Sequence, residues 1–198
     1  MRGTGGRCYR RRLGVVAYGH PVLKHVAEEI DQDYPNLQQL IADMFETMYH
    51  SEGVGLAAPQ INKSIRLFVI DADPFHETYP EAKGFKKVFI NPEIVEVSEE
   101  TWTFREGCLS LPDMNEEVVR PSKITINYLD ENFVEHEEEF DGIKARVIQH
   151  EYDHLEGKVY VDRVAPMRKM MLKNKQRNIS EGNVYTEYKM IFPNKRRR

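Results

Sequence analysis

The sequence predicts one α+β domain, in which antiparallel or mixed β-sheets pack around a central helix. Apolar residues recur at helical spacing over residues 37–48, and a second helical stretch covers residues 142–156. Short apolar runs lie between these stretches and are divided by turn residues. Helices and strands do not alternate regularly, which argues against a parallel α/β architecture.

Three helices are predicted: an amphipathic one near the N-terminus, the central one and one near the C-terminus. The first follows from the apolar positions Leu37, Leu40, Ile41, Met44, Phe45 and Met48. Pro35 is expected in its first turn, and Gly53 ends its pattern. Asp141 can cap the start of the central helix, and Gly157 can end it. The third helix is predicted over residues 166–177.

Six strand-like runs occupy residues 65–70, 88–91, 94–97, 101–104, 124–129 and 133–140. Pro92 is expected to separate the second run from the third. Residues 130–132 predict a hairpin turn between the last two runs. Residues 71–86 form a polar stretch that is long enough for a lid or an insertion.

Composition and charge bound the class of protein. The chain has 198 residues, of which 40% are hydrophobic and 30% charged, as in a soluble globular domain. No apolar run approaches the roughly 20 residues of a membrane helix. Residues 163–198 hold 11 Lys/Arg and 2 Asp/Glu, a net of +9 within a chain of net charge −4. Such a tail could contact nucleic acid or another acidic surface, although a solvated helix with a frayed end is the simpler interpretation.

Two cysteines, Cys8 and Cys108, are too few for a disulfide framework, so a reducing compartment is expected. Residues 1–12 are rich in Gly and Arg and lack an apolar core, which excludes a secretory signal. They are predicted to be a non-native or disordered leader, and Cys8 falls within it. A cysteine such as Cys108, with histidines elsewhere in the chain, is a candidate nucleophile or metal ligand.

The central helix carries His150-Glu151-Tyr152-Asp153-His154. Histidines four residues apart project from one helix face, so both imidazoles can reach one metal ion. Glu151 lies beside that face and can exchange a proton with water on the metal. Burying these polar groups together is costly unless they are paired or bind a metal. The pattern therefore predicts a metal-dependent hydrolase.

A catalytic site of this type needs a third protein ligand. No histidine follows His154, and the acids downstream lie in no ligand motif. Cys108, in Glu106-Gly107-Cys108-Leu109-Ser110, offers a thiolate, an excellent ligand for a borderline metal. A small buried hydrophobe is the alternative interpretation of Cys108.

A glycine-containing segment, Gly53-Val54-Gly55-Leu56-Ala57-Ala58-Pro59-Gln60, is the third candidate. Its glycines permit close approach of a ligand to the backbone, and the Gln60 amide could polarise a carbonyl oxygen. A glycine turn after a helix would look the same.

Together these three segments resemble the peptide deformylase family. That family is marked by a Gly-x-Gly-x-Ala-Ala-x-Gln loop, a Glu-Gly-Cys-x-Ser segment and a His-Glu-x-x-His helix, and all three are present here. Residues 16–23, 90–92 and 153–157 are also similar to the family. The resemblance covers roughly residues 15–162, so residues 13–165 are predicted to be the catalytic domain and 166–198 a basic C-terminal helix and tail.

The resemblance implies hydrolysis of the N-formyl group of formyl-methionine on nascent polypeptides, with release of formate. It assigns the metal to Cys108, His150 and His154, and acid/base catalysis to Glu151. Gln60 and the Leu109 amide would stabilise the oxyanion. Residues that would line the substrate site are Gly53, Val54, Gly55, Glu106, Gly107, Ile143 and Val147. Glu106 could also pair with Arg120 behind the cysteine.

The resemblance further implies ferrous iron as the usual metal, with zinc, nickel or cobalt as substitutes. It implies a cytoplasmic bacterial enzyme that acts on N-formylmethionyl peptides, with no membrane partner. Many members place an arginine where Asn115 stands, so that backbone contact is not expected here. Transient contact of the basic tail with the ribosome is a hypothesis.

Two other functions fit parts of the sequence. A helical zinc peptidase would share the His-Glu-x-x-His motif but would not need Cys108. A non-enzymatic metal- or RNA-binding module would fit the basic tail, but the aromatic residues are scattered and the rest of the chain is acidic.

Overall fold

The computed structural model describes residues 10–193 and confirms the α+β class. Its helices are α1 (Leu37–His50), α2 (Gly142–Leu155) and α3 (Pro166–Glu181). Its strands are β1 (Val15–Val16), β2 (Gly55–Ala57), β3 (Leu67–Asp71), β4 (Lys86–Val97), β5 (Thr101–Cys108), β6 (Leu111–Pro121), β7 (Lys123–Leu129), β8 (Glu135–Asp141) and β9 (Met190–Ile191). No helix in residues 10–193 is long and apolar enough to span a membrane.

A five-stranded antiparallel sheet, in the order β2-β3-β4-β7-β8, lies between α1 and α2. On β3, Phe68 and Ile70 pack in the cluster that includes α2, whereas Leu67 and Val69 pack in the cluster that includes α1. Successive side chains of a strand point to opposite faces. Because both faces of the sheet are covered at β3, this strand is a continuous apolar run rather than an alternating one.

A separate antiparallel hairpin, β5–β6, stands beside this sheet and ends at Cys108. The sequence patterns did not predict β6. Its buried positions alternate regularly, but two of them are Glu116 and Arg120. These buried charges hide the apolar alternation by which a strand is recognised.

Several boundaries differ from the predictions. Asn36, with φ of 54°, precedes α1, so Pro35 lies outside the first turn. Asp141 is at the N-cap of α2, but its side chain makes no capping hydrogen bond. Pro92 does not divide two strands: β4 continues through it with register shifts between Ile90 and Glu93, a place where proline is tolerated.

The two ends of the described chain meet in a small parallel sheet, in which Val15 pairs with Met190 and Val16 with Ile191. Before β1, the Arg11 amide donates to Asp43 Oδ1 at 2.8 Å, so the chain lies along α1. Most of the predicted leader, including Cys8, lies outside the described residues. The helix α3 is longer than predicted and is followed by Gly182.

Candidate metal centre

The helix α2 presents His150 and His154 from one face, with their ring centroids 5.3 Å apart. Both imidazoles are buried, at 9% and 0% exposure. Burial lowers the pKa of His154 to about 3, which keeps this ring neutral, the form in which a histidine binds a metal. Burial also lowers the pKa of His150, but hydrogen bonds with Cys108 and Glu106 outweigh burial and raise that pKa well above its usual value, so His150 must lose a proton to bind a metal. The helix therefore places two imidazole rings close enough together to bind the same metal ion.

Cys108 faces these histidines from the end of β5. One ligand atom from each of Cys108, His150 and His154 lies within 4.8 Å of the others. The Sγ of Cys108 is 3.4 Å from His154 Nε2. His150 Nδ1 is 2.8 Å from Glu106 Oε2, which leaves Nε2 of that ring for a metal. A thiolate and two imidazoles fit a divalent transition-metal ion.

The Glu106 carboxylate is the hub of a buried ion-pair network behind the ligands. It accepts hydrogen bonds from Arg120 Nε and Nη2, at 2.7 and 2.9 Å, and from Arg146 Nη1 at 2.8 Å. Burial raises the pKa of Glu106, but hydrogen bonds with Arg120 and His150 outweigh burial and hold it well below its usual value. Glu106 is therefore ionised and fixes the His150 ring through Nδ1.

Arg120 also joins the network to the far end of the histidine motif. Its guanidinium donates to Asp153 Oδ2 at 2.7 Å, and its side chain is fully buried. Arg163 pairs with the same carboxylate from the solvent side. Asp153 directly precedes His154, and Glu106 contacts His150, so each histidine lies next to a carboxylate that Arg120 binds.

Glu151 lies against the strand β2. A Cβ atom at Gly55 would be 2.4 Å from Glu151 Oε1, so only glycine at position 55 leaves room for the carboxylate. Glu151 is 4% exposed, and its Oε2 has no hydrogen-bond partner among the described residues. Burial raises the pKa of this carboxyl to about 7. A carboxyl of this kind can both accept and release a proton at neutral pH.

Gln60 lies next to the thiol. Its Oε1 accepts from the Ala57 amide at 2.8 Å, which orients the side chain. Its Nε2 is then directed at Cys108 Sγ, 3.4 Å away, and at Ser110 Oγ, 3.3 Å away. Leu109 lies in the two-residue connection that follows Cys108. Two potential donors to an oxyanion therefore lie beside the ligand set.

A cavity of about 800 Å³ opens onto this centre. Of the residues predicted to bind substrate, it is lined by Gly53, Val54, Gly55, Glu106, Gly107 and Val147. Ile143 is not brought to the cavity; it is fully buried in the core between α2 and the sheet, because it lies one turn before Val147 on the inward face. The carboxylate of Glu106 is already hydrogen-bonded to its arginine and histidine partners.

Sequence patterns missed other parts of the cavity wall. Arg146 of α2 lines it, as do Phe75 of the polar stretch 71–86 and residues 185–188 of the C-terminal segment. Helical spacing could have suggested Arg146, because it is four residues before His150 and residues four apart lie on the same face of a helix. The C-terminal segment carried no such indication, because its approach depends on the turn after α3.

Fold and site together define the class: a metal-dependent hydrolase. The family model of polypeptide deformylase matches residues 13–170. Curated peptide deformylases of Christiangramia forsetii and Cytophaga hutchinsonii are 50% and 47% identical to this chain, covering 92% of it in each case and 96% and 98% of those proteins. The chain belongs to the peptide deformylase family.

Solved structures agree. The peptide deformylase of Legionella pneumophila is 38% identical, with a TM-score of 0.74 over 84% of this chain and 94% of that one. That of Ehrlichia chaffeensis, solved in complex with actinonin, is 34% identical, with a TM-score of 0.77 over 85% and 97%. The chain is therefore an enzyme that removes the N-formyl group of nascent polypeptides and depends on a metal, as the sequence predicted.

The buried network yields a stability prediction. Arg120→Met should lower the free energy of unfolding by roughly 3–5 kcal/mol, because it leaves Glu106 and Asp153 buried without their shared partner. Urea denaturation measures the change.

Arg12→Met is the matched control. Arg12 pairs with Glu46 at the surface, and neither side chain is buried, so water can replace the pair and the loss should be much smaller. Equal losses for the two variants would show that burial of the network does not matter.

Proposed function

We propose that Cys108, His150 and His154 hold the single divalent ion of this deformylase, and that Glu151 is its general acid and base. The observation that carries the proposal is the convergence of three ligand atoms within 4.8 Å beside a buried carboxyl group. An ion bound there supplies Lewis acidity, which lowers the pKa of a coordinated water and polarises a carbonyl group.

The protein's own residues then move the proton and stabilise charge. Glu151 accepts a proton from the attacking water and delivers it to the departing amine, for which its pKa of about 7 is suited. The C–N bond of the formamide breaks, and formate and a free N-terminal amine are the products. Gln60 Nε2 and the Leu109 amide donate hydrogen bonds to the developing oxyanion.

The substrate peptide binds along β2. This strand is at the edge of the five-stranded sheet, so its outer backbone groups can pair with an extended peptide as an added strand. Gly53 and Gly55 allow a close approach. Val54 and Val147 give the cavity an apolar surface for the methionine side chain.

The position of Cys108 favours this chemistry over a helical zinc peptidase. A peptidase of that class would recruit its third ligand elsewhere and leave Cys108 as a packing residue. Here the Sγ lies beside His154 Nε2.

We propose that the ion in the cell is Fe2+, and that Zn2+, Ni2+ or Co2+ can bind to the same three residues. The proposed location of the enzyme is the cytoplasm. Iron content after anaerobic purification tests the choice of metal.

Two variants test the assignment of roles. Cys108→Ala should remove the metal and with it formate release from formyl-Met-Ala-Ser. Glu151→Gln keeps the shape of the side chain and all three ligands, so it should retain the metal while kcat falls about 10²–10⁴-fold. Metal content by elemental analysis and formate release are the measurements.

A peptidase would give a different pattern. Cys108→Ala would then retain its metal and show only a mild loss of stability. If Glu151→Gln kept a near-normal kcat, Glu151 would have no part in the mechanism, whatever the metal content of the variant.

A second proposal concerns the basic C-terminal helix and tail. Residues 163–198 carry a net charge of +9, and Lys173, Lys175 and Arg177 are exposed on α3. We propose that this surface makes transient contact with the ribosome, where formylated peptides emerge, through attraction to phosphate groups.

Reversing three charges on α3 tests the contact. The triple variant Lys173→Glu, Lys175→Glu, Arg177→Glu should lose co-sedimentation with ribosomes at physiological salt, yet release formate from a soluble tripeptide at the parent rate. A variant with the same charge change on other exposed lysines, Lys63→Glu, Lys83→Glu, Lys158→Glu, is the control. Equal co-sedimentation of both variants would contradict the proposal.

A further inference from the structure

The chain segment after α3 returns to the metal centre. Gly182, with φ of +80°, adopts the left-handed conformation that ends the helix. Residues 185–188 then line the same cavity as Cys108, His150 and Glu151. Two residues later β9 pairs with β1, which fixes the far end of the segment. The cavity is therefore closed on one side by a segment that lies beyond the metal-binding motifs in sequence.

One side chain of this segment contacts the backbone beside the metal ligand. The Tyr188 hydroxyl donates a hydrogen bond to the Leu109 carbonyl oxygen at 2.8 Å. Tyr188 is itself held in place: Thr186 Oγ1 donates to its carbonyl at 2.7 Å, and the Val15 amide donates to the Lys189 carbonyl at 2.9 Å. The phenol is thus presented from a backbone fixed on both sides.

The contact from Tyr188 restrains the half of the β5–β6 connection that is not otherwise held, namely Leu109. The Ser110 side of the connection is already fixed, because the Tyr18 amide donates to the Ser110 carbonyl at 2.8 Å and Gln60 donates to Ser110 Oγ. Tyr188 is the group that holds the Leu109 carbonyl. Restraining that carbonyl limits rotation about the backbone of Leu109, whose amide is the proposed donor to the oxyanion.

We propose that Tyr188 is a positioning residue for deformylation, which holds the Leu109 backbone so that its amide meets the oxyanion of the transition state. The inference rests on the oxyanion role proposed for Leu109. A preorganised donor contributes where charge develops, so a displaced amide should affect kcat more than substrate binding.

Tyr188→Phe tests the proposal, because it removes the hydroxyl and keeps the ring. With formyl-Met-Ala-Ser as substrate, kcat should fall roughly tenfold while KM changes less than about twofold. Metal content should equal that of the parent, since no ligand is altered. Thermal unfolding, followed by circular dichroism, shows whether the variant is folded at the assay temperature.

Tyr128→Phe is the matched control. Its hydroxyl donates to Glu138 Oε1 at 2.7 Å in the five-stranded sheet, on strands that do not line the cavity. The same chemical change there should leave kcat and KM within about twofold of the parent values. A kcat loss equal in both tyrosine variants would attribute the effect to stability and overturn the proposal.

Other outcomes also decide the question. A kcat for Tyr188→Phe within twofold of the parent overturns the proposal, and so does a raised KM with unchanged kcat, which would mean that Tyr188 contacts the peptide directly. Loss of metal in Tyr188→Phe would mean that it supports Cys108 rather than Leu109. If the parent enzyme releases no formate, the proposed function fails, and this inference fails with it.

Discussion

The pairing of the buried Glu106 carboxylate is the interaction on which the rest of the site depends. A carboxylate that is 4% exposed is stable only with charged or hydrogen-bonding partners around it. Its partners come from two elements that are distant in sequence: Arg120 from β6, and Arg146 and His150 from α2. One carboxylate thereby joins the β5–β6 hairpin to the central helix.

The positions of the three proposed metal ligands follow from that junction. Residues two apart in a strand project from the same face, so Glu106, once it points at α2, directs Cys108 toward α2 as well. The bond to Nδ1 fixes the rotation of the His150 ring and leaves Nε2 available to bind a metal. His154 follows one helical turn later, with the adjacent Asp153 held by Arg120. Ion pairs of the protein itself thus orient the residues proposed to bind the metal.

Much of the metal centre could be predicted from local sequence, because helical periodicity alone brings His150 and His154 together. Local patterns of apolar and turn residues likewise predicted all three helices and the main apolar strands. What escaped prediction depends on partners in space. The pair of Glu106 and Arg120 was predicted, but the strand β6 that carries Arg120 was not, and its buried charge is explained fully only once Asp153 is placed beside Arg120 as well.

The same limit applies to the substrate cavity. Glycine at 55 could be read as a turn residue, and the structure shows instead that it gives room to Glu151. The family resemblance placed Ile143 in the substrate pocket, but helix α2 buries that position against the sheet. The C-terminal segment reaches the cavity through a reversal of the chain after α3, which no periodic pattern records.

The most direct test of this account is the affinity of Glu106→Gln for Co2+, titrated by the visible absorption of the cobalt–thiolate complex. None of the three ligands changes in this variant. If the Glu106 network orients His150, affinity should fall about 10–100-fold in protein that near-ultraviolet circular dichroism shows to be folded. Affinity within twofold of the parent, in folded protein, would contradict the account.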